Sequence, residues 1–438
     1  MLTVPFLTDL DPQAAIKGSR DPLGIQPIWT RLGRRVVGNL TTVSTSVRDF
    51  TTTILGYYFA ERVANEEDGD SDLAVFLRWE QLASYARGSI NNDWEFRGTE
   101  RAKKNFSENG KIRLGTDSAA LILSDQKTYG LWGLYSVPSR SSGLLTGDPT
   151  RVTPSVRKFI EDEYLSTLSG SGRKDASEIV SVLARKSPEL RPSDRDRPLF
   201  QAVGRVLHRK LFSREQEFYR GHLVEGGPED RTQGGQRVLV EALKTTFDAE
   251  DWSLESATIR HVAKRCRAQG GRGADVADFL ERIRVAELLV APAARLFTLL
   301  LGCDGQLPRD VSAAVRQQWG PKVASIDPDA IEGIRGEFAN AQDEHTSSDR
   351  WVRLAHALAF GDYDAALSLL IEQNRAVMES RGSAAPWVEI RDGKLHVRFL
   401  DESSGQLPTR SELPLLWTNS YFLDSLRTVA MQVEGRHG

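Results

Sequence analysis

Apolar residues first recur with a helical period at Ile28, Leu32, Val36, Leu40, Val43, Val47, Phe50, Ile54 and Tyr57, a spacing that predicts one helix face. The middle of that run, Thr41-Thr-Val-Ser-Thr-Ser46, has weak helix propensity, so a break can fall there unless tertiary packing overrides it. A second apolar run, Leu73 to Tyr85, follows the acidic stretch Asn65 to Asp72, with Asp72 as the expected N-cap. Those acids lack the Glu that completes a calcium loop.

Segment 94–125 reads as a short basic helix followed by extended pieces at Lys111–Leu114 and Ala119–Leu123. Next come an aromatic block, Thr128 to Pro138, a polar turn, and a helix start at Thr153-Pro154. Helix, helix, short strands and helix is loosely the order of a winged-helix module. From about 199 to 381 one helix follows another, roughly eight to ten in all. Within that stretch His356 to Leu367 resembles the turn of a tetratricopeptide-type hairpin, with Gly361 at the turn and Tyr363 packed between helices. No second copy follows at that repeat's period, which leaves a single helical hairpin. Alternation from Trp387 to Phe399 about Asp392-Gly393 predicts a β-hairpin. A last helix is expected from about Leu415, with Trp417, Tyr421, Phe422, Leu426 and Val429 on it.

The fold class is therefore mainly α, a multidomain helical protein with a winged-helix-like N-terminal module and a small C-terminal β-hairpin. Its expected segments are an extended arm at 1–27, punctuated by Pro5, Pro12, Pro22 and Pro27, a mostly helical domain with short strands at 28–170, a linker region at 171–198, a helical domain at 199–381, and a hairpin plus docking helix at 382–438. A length of 438 residues agrees with two or three domains.

Composition narrows the function less than the fold. With 40% hydrophobic and 27% charged residues the chain is globular in type, and a net charge of -3 excludes a uniformly basic coat while permitting a local basic face. The lone cysteines Cys266 and Cys303 have no zinc spacing and fit a reducing compartment. The N-terminus lacks a signal-peptide pattern, and no apolar run reaches the ~20 residues of a membrane span, so a cytoplasmic protein is expected. Neither Gly226 to Gly235 nor Gly270 to Gly273 is a phosphate loop, and no His stands in a metalloprotease pattern. No metal site and no cofactor is expected.

Basic residues gather in three groups. The first is Arg31, Arg34 and Arg35. The second is Arg97, Arg101, Lys103, Lys104, Lys111 and Arg113, in which the spacing of Arg97, Arg101 and Lys104 gives one helix face. The third includes Arg205, His208, Arg209, Lys210 and Arg214, extended by Arg260, Lys264, Arg265 and Arg267. Such faces can contact successive phosphates, and Trp94 and Phe96 could stack on bases. The alternative is a solvated surface paired with neighbouring acids. The nearest approach to a metal-nuclease pattern is Glu389, Asp392 and Lys394, but the hairpin turn already explains the last two.

The segments Tyr129-Gly-Leu-Trp-Gly-Leu-Tyr135, Ser141-Ser-Gly-Leu144 and Leu416 to Leu426, with Asp21-Pro-Leu-Gly24, resemble parts of poorly characterised proteins of bacterial defence islands. The resemblance implies a member of a multi-gene anti-phage system and carries no catalytic motif. The expected function is a non-catalytic subunit of a bacterial defence or DNA-processing complex. It would hold nucleic acid through Arg97, Arg101, Lys103, Lys104, Lys111, Arg113, Arg205, Arg209 and Lys210, and a protein partner through Trp417, Tyr421 and Phe422. Two alternatives stand beside it: a metal-dependent nuclease assembled from distant acids, and a protein-binding helical adaptor.

Overall fold

The computed structural model describes residues 21–64, 71–169, 176–249, 251–339, 344–381, 385–398 and 407–436. Most of the expected arm at 1–27, the acidic loop at 65–70 and the Gly170-Ser-Gly172 part of the linker lie outside the described residues. The chain is mainly helical, and among the described residues the strands form three two-stranded antiparallel sheets. No described helix is long and apolar enough to cross a membrane.

Contacts divide the chain into two units that do not follow the linear segments expected from the sequence. One comprises Met1–Val36 and Ala249–Tyr421, and the other Val37–Asp248 and Phe422–Gly438. The first carries the C-terminal β-hairpin and is called the hairpin unit. The second carries the basic surface described below and is called the cleft unit.

The apolar run from Ile28 to Tyr57 breaks where its Thr/Ser centre weakens it. It forms helix Ile25–Arg34 in the hairpin unit and helix Val47–Ala64 in the cleft unit. In the latter, the hydroxyls of Thr51, Thr52 and Thr53 each donate to the carbonyl four residues back, which satisfies them inside a helix.

The centre of the cleft unit is helix Asp72–Asn91, buried at every position from Val75 to Gly88. Its N-cap is Ser71, whose Oγ accepts from the Ala74 amide at 3.3 Å, one residue earlier than expected. Asp72 instead pairs with Arg151 at 2.6 Å. Close approach to helix Val47–Ala64 depends on Gly56, where a Cβ would come within 2.6 Å of the Phe76 ring. Burying Phe76 there contributes about 1.5–3 kcal/mol. Helix Arg197–Val206 packs on the same helix, and Gly204 admits Ile90.

A helix wholly buried must satisfy its polar side chains internally. Gln81 does so reciprocally with the main chain of Gly115, donating at 2.8 Å and accepting at 2.9 Å. That bond ties the segment after strand Ile112–Arg113 to the core. The strand pairs with Glu189–Leu190, so Arg113 faces Glu189 across the ladder. Beyond it, 119–123 forms no strand, and the aromatic block contains helix Leu131–Ser141. Among the described residues the only other strands of this unit are Leu145–Thr146 and Arg151–Val152, so no three-stranded wing follows the helices.

In the hairpin unit, helix Arg272–Leu300 packs against Ser256–Ala268, and helices Glu344–Phe360 and Tyr363–Ser380 form the expected hairpin. Gly361 turns it at φ +74°, and buried Tyr363 donates its hydroxyl to the Gly320 carbonyl at 3.0 Å. Strands Val388–Arg391 and Lys394–Val397 flank the Asp392-Gly393 turn, both of whose φ angles are positive. The last helix starts only at Leu423. Residues before it are held out of the helix by Glu287, a buried carboxylate that accepts from the amides of Thr418 and Asn419, their side chains, and the Tyr421 hydroxyl.

Candidate nucleic-acid interface

Helix Thr99–Asn109 is preceded by Gly98 at φ +83°, where a Cβ would also meet the Ile122 carbonyl oxygen at 2.5 Å. Glycine is required there on both counts. Buried Ala102 seats the helix, which leaves Lys103 and Lys104 exposed and Arg101 half-exposed. The following strand alternates in the same way. Ile112 and Leu114 are buried, while Lys111 and Arg113 point outward.

These elements enclose a cleft of about 460 Å³ lined by Tyr85, Asn105, Lys111, Ile112, Arg113, Ala119 and Glu189. Its deepest polar group is the hydroxyl of Tyr85, a residue only 1% exposed, which accepts from Asn105 Nδ2 at 3.4 Å. Burial pushes the Tyr85 phenol above its ordinary range, so it remains a donor at neutral pH. Arg101, close enough to act on that phenol electrostatically, donates to the Ser118 carbonyl, and Arg113 pairs with Asp117. The turn at Asp117 thus holds two guanidiniums beside the cleft. The charged ends of Lys111 and Glu189 have no partner among the described residues.

Arg97 does not share the helix face that its spacing suggested. It lies in the turn before the helix, exposed, beside a small pocket with Arg87 and Glu80. Lys103 sits over the Trp94 ring at 5.8 Å. Trp94 packs on Gly88, Phe96 and Phe106, and Phe96 receives the Arg87 guanidinium at 5.6 Å, so both rings are engaged within the chain.

The third basic group is split. Arg205 and Lys210 are exposed, but Arg209 pairs with Asp93 at 2.8 Å and Glu95 at 3.0 Å. Arg209 borders a second cavity of about 400 Å³ with Arg48, Arg87, Asp93 and Glu95. Arg87 bonds Asp49 and Asp93, and Arg48 bonds Glu215, so the positive charge there is largely neutralised in place. In the hairpin unit, Arg31 donates to the carbonyls of Glu337 and Ala339 and Arg35 pairs with Glu337, which gives both a structural role.

Tyr421 and Phe422, expected at a partner surface, are buried. Trp417 is half-exposed, donating its indole N–H to the Asn419 carbonyl at 2.6 Å. Glu389 is engaged by Arg391 and Arg398, and Asp392 sits in the hairpin turn. Among the described residues no three His, Cys, Asp or Glu side chains are placed to hold a metal ion. Cys266 and Cys303 are free and buried, and burial pushes the Cys266 thiol up to about 12.

Sequence reasoning located the cations of the cleft but missed Tyr85, Asn105 and Glu189. Tyr85 is hidden in an apolar run, and Glu189 reaches the site only through a two-residue strand pairing across more than seventy residues. No protein-family model matches the chain, and neither a curated protein nor a solved structure matches it.

Proposed function

We propose that this chain binds nucleic acid through the cleft between helix Thr99–Asn109 and the ribbon Ile112–Arg113/Glu189–Leu190, as a non-catalytic subunit of a defence or DNA-processing assembly. One observation supports this reading above the others. Arg101 from the helix, and Lys111 and Arg113 from the strand segment after it, gather about a concave surface whose floor offers the Tyr85 hydroxyl and the Asn105 amide. Cations at a rim with neutral donors beneath them match the chemistry of a phosphate contact. Lys103 and Lys104 extend the same basic surface along the helix. Asp117 and Glu189 offset part of the charge, so affinity is expected to be moderate and strongest at low salt. The setting in an assembly rests on the resemblance to defence-island proteins.

Fluorescence anisotropy with labelled single-stranded and duplex oligonucleotides tests the reading. Binding at low salt, weakened about tenfold or more by Lys111→Gln with Arg113→Gln, is expected. Undiminished binding by that double variant, or none by the wild type, contradicts it.

A further inference from the structure

We propose that the cleft receives the terminal phosphomonoester of a nucleic-acid strand, held by Tyr85, Asn105, Lys111 and Arg113, while Glu189 disfavours a second phosphate. This rests on the nucleic-acid reading above and goes further by specifying which part of the strand enters.

Three observations lead there. The first is the Tyr85 hydroxyl. It is buried and lines the cleft, it accepts from Asn105, and its own proton meets no acceptor among the described residues. A buried donor without an acceptor calls for one from outside, and phosphate oxygens accept strongly. The second is the mixture of donors. Lys111 supplies a mobile point charge, Arg113 a planar fork, and Asn105 and Tyr85 neutral N–H and O–H groups. Four such donors suit a group with three terminal oxygens, which a phosphomonoester has and an internal diester lacks. The monoester also carries roughly −1.5 to −2 charge at neutral pH against −1 for a diester, so it gains more from the same cations.

The third observation is Glu189. Its carboxylate lines the cleft, stands across the ladder from Arg113, and has no partner among the described residues. A cation groove that tracks a continuous backbone gains nothing from an anionic wall, because every further phosphate meets repulsion there. One phosphate can sit on the donors and away from Glu189, whereas a strand threading through would place another beside it. A volume of about 460 Å³ agrees with a single nucleotide's end rather than a passing helix.

The experiment compares short labelled single strands that carry a 5′ phosphate, a 3′ phosphate, or hydroxyls at both ends, with inorganic phosphate as competitor. The wild type is expected to prefer one phosphorylated end about tenfold over the hydroxyl-ended strand. Phosphate should compete for that increment only. Tyr85→Phe should reduce the preference to within about twofold, and Lys111→Gln, at an exposed position that cannot unfold the core, should do the same. Glu189→Gln should instead strengthen binding of the hydroxyl-ended strand. Equal affinity of the wild type for all three strands overturns the end-binding inference and leaves the nucleic-acid reading standing. Failure to bind any strand at low salt overturns both. An unchanged preference in both Tyr85→Phe and Lys111→Gln overturns the assignment to this cleft.

Discussion

Arg48 and Glu215 form a two-point ion pair inside the cleft unit, with Nη1 to Oε1 at 2.5 Å, Nη2 to Oε2 at 3.0 Å, and both side chains buried. The pair is enclosed by further bonds. Arg48 Nε donates to the His208 carbonyl at 2.6 Å, the Tyr164 hydroxyl to Glu215 Oε1 at 2.7 Å, and the Phe212 amide to Oε2 at 3.0 Å. Burial alone would weaken the Arg48 charge, but Glu215 outweighs it and holds the guanidinium above its usual value. Removing one partner strands the other charge in the core. Arg48→Met is therefore expected to cost about 3–5 kcal/mol, measured as a lower urea midpoint. A loss below about 1 kcal/mol would show that the pair is not integral to the unit.

Glu80 lies on the buried helix, and among the described residues no cation bonds its carboxylate. Oε1 accepts from the Leu131 amide at 2.7 Å and Oε2 from Gln126 at 2.8 Å. Burial pushes its pKa from 4.5 up to about 7, and nearby Asp49 adds to the shift. A carboxyl whose pKa is raised on folding binds more protons in the native state, so its contribution is complete below pH 4.5 and declines as the pH rises to about 7. The loss amounts to about 3 kcal/mol. Glu80→Gln, which cannot ionise, should gain stability relative to the wild type by that amount between those limits. Parallel stability curves for the two proteins against pH would contradict the assignment.

Gly361 combines two demands on a single residue. Its φ is +74°, and a Cβ would overlap the Pro321 carbonyl oxygen, while Arg316 Nη2 donates to its carbonyl at 2.7 Å. Gly361→Ala should destabilise the hairpin unit by at least about 2 kcal/mol, read from thermal or urea unfolding. An unaltered midpoint would mean that the turn can relax away from Pro321.

What was legible in the sequence is local. The Asp392-Gly393 turn, the Gly361 hairpin and the break at Thr41–Ser46 each depend on a residue's own backbone preference, and each is present. The last helix was misread because its apolar spacing ran on through Trp417 and Tyr421. Five donors from residues 418, 419 and 421 instead converge on Glu287, more than 130 positions earlier, and that bond set overrides the local period. The basic face was legible as charge but not as geometry. Arg97 falls in a turn set by Gly98, and Arg209 is neutralised by Asp93, an acid 116 positions away. Two units that each contain distant parts of the chain leave no single composition change at which to divide it.

The salt dependence of oligonucleotide binding bears most directly on the proposed function. If Arg101 and Lys104 each meet a phosphate and Lys111 and Arg113 share one, log K should fall against log salt with a slope of about −2 for single strands. Lys111→Gln with Arg113→Gln should flatten that slope by about 0.7. A slope near zero, or one that the double variant leaves unchanged, would contradict binding at the cleft.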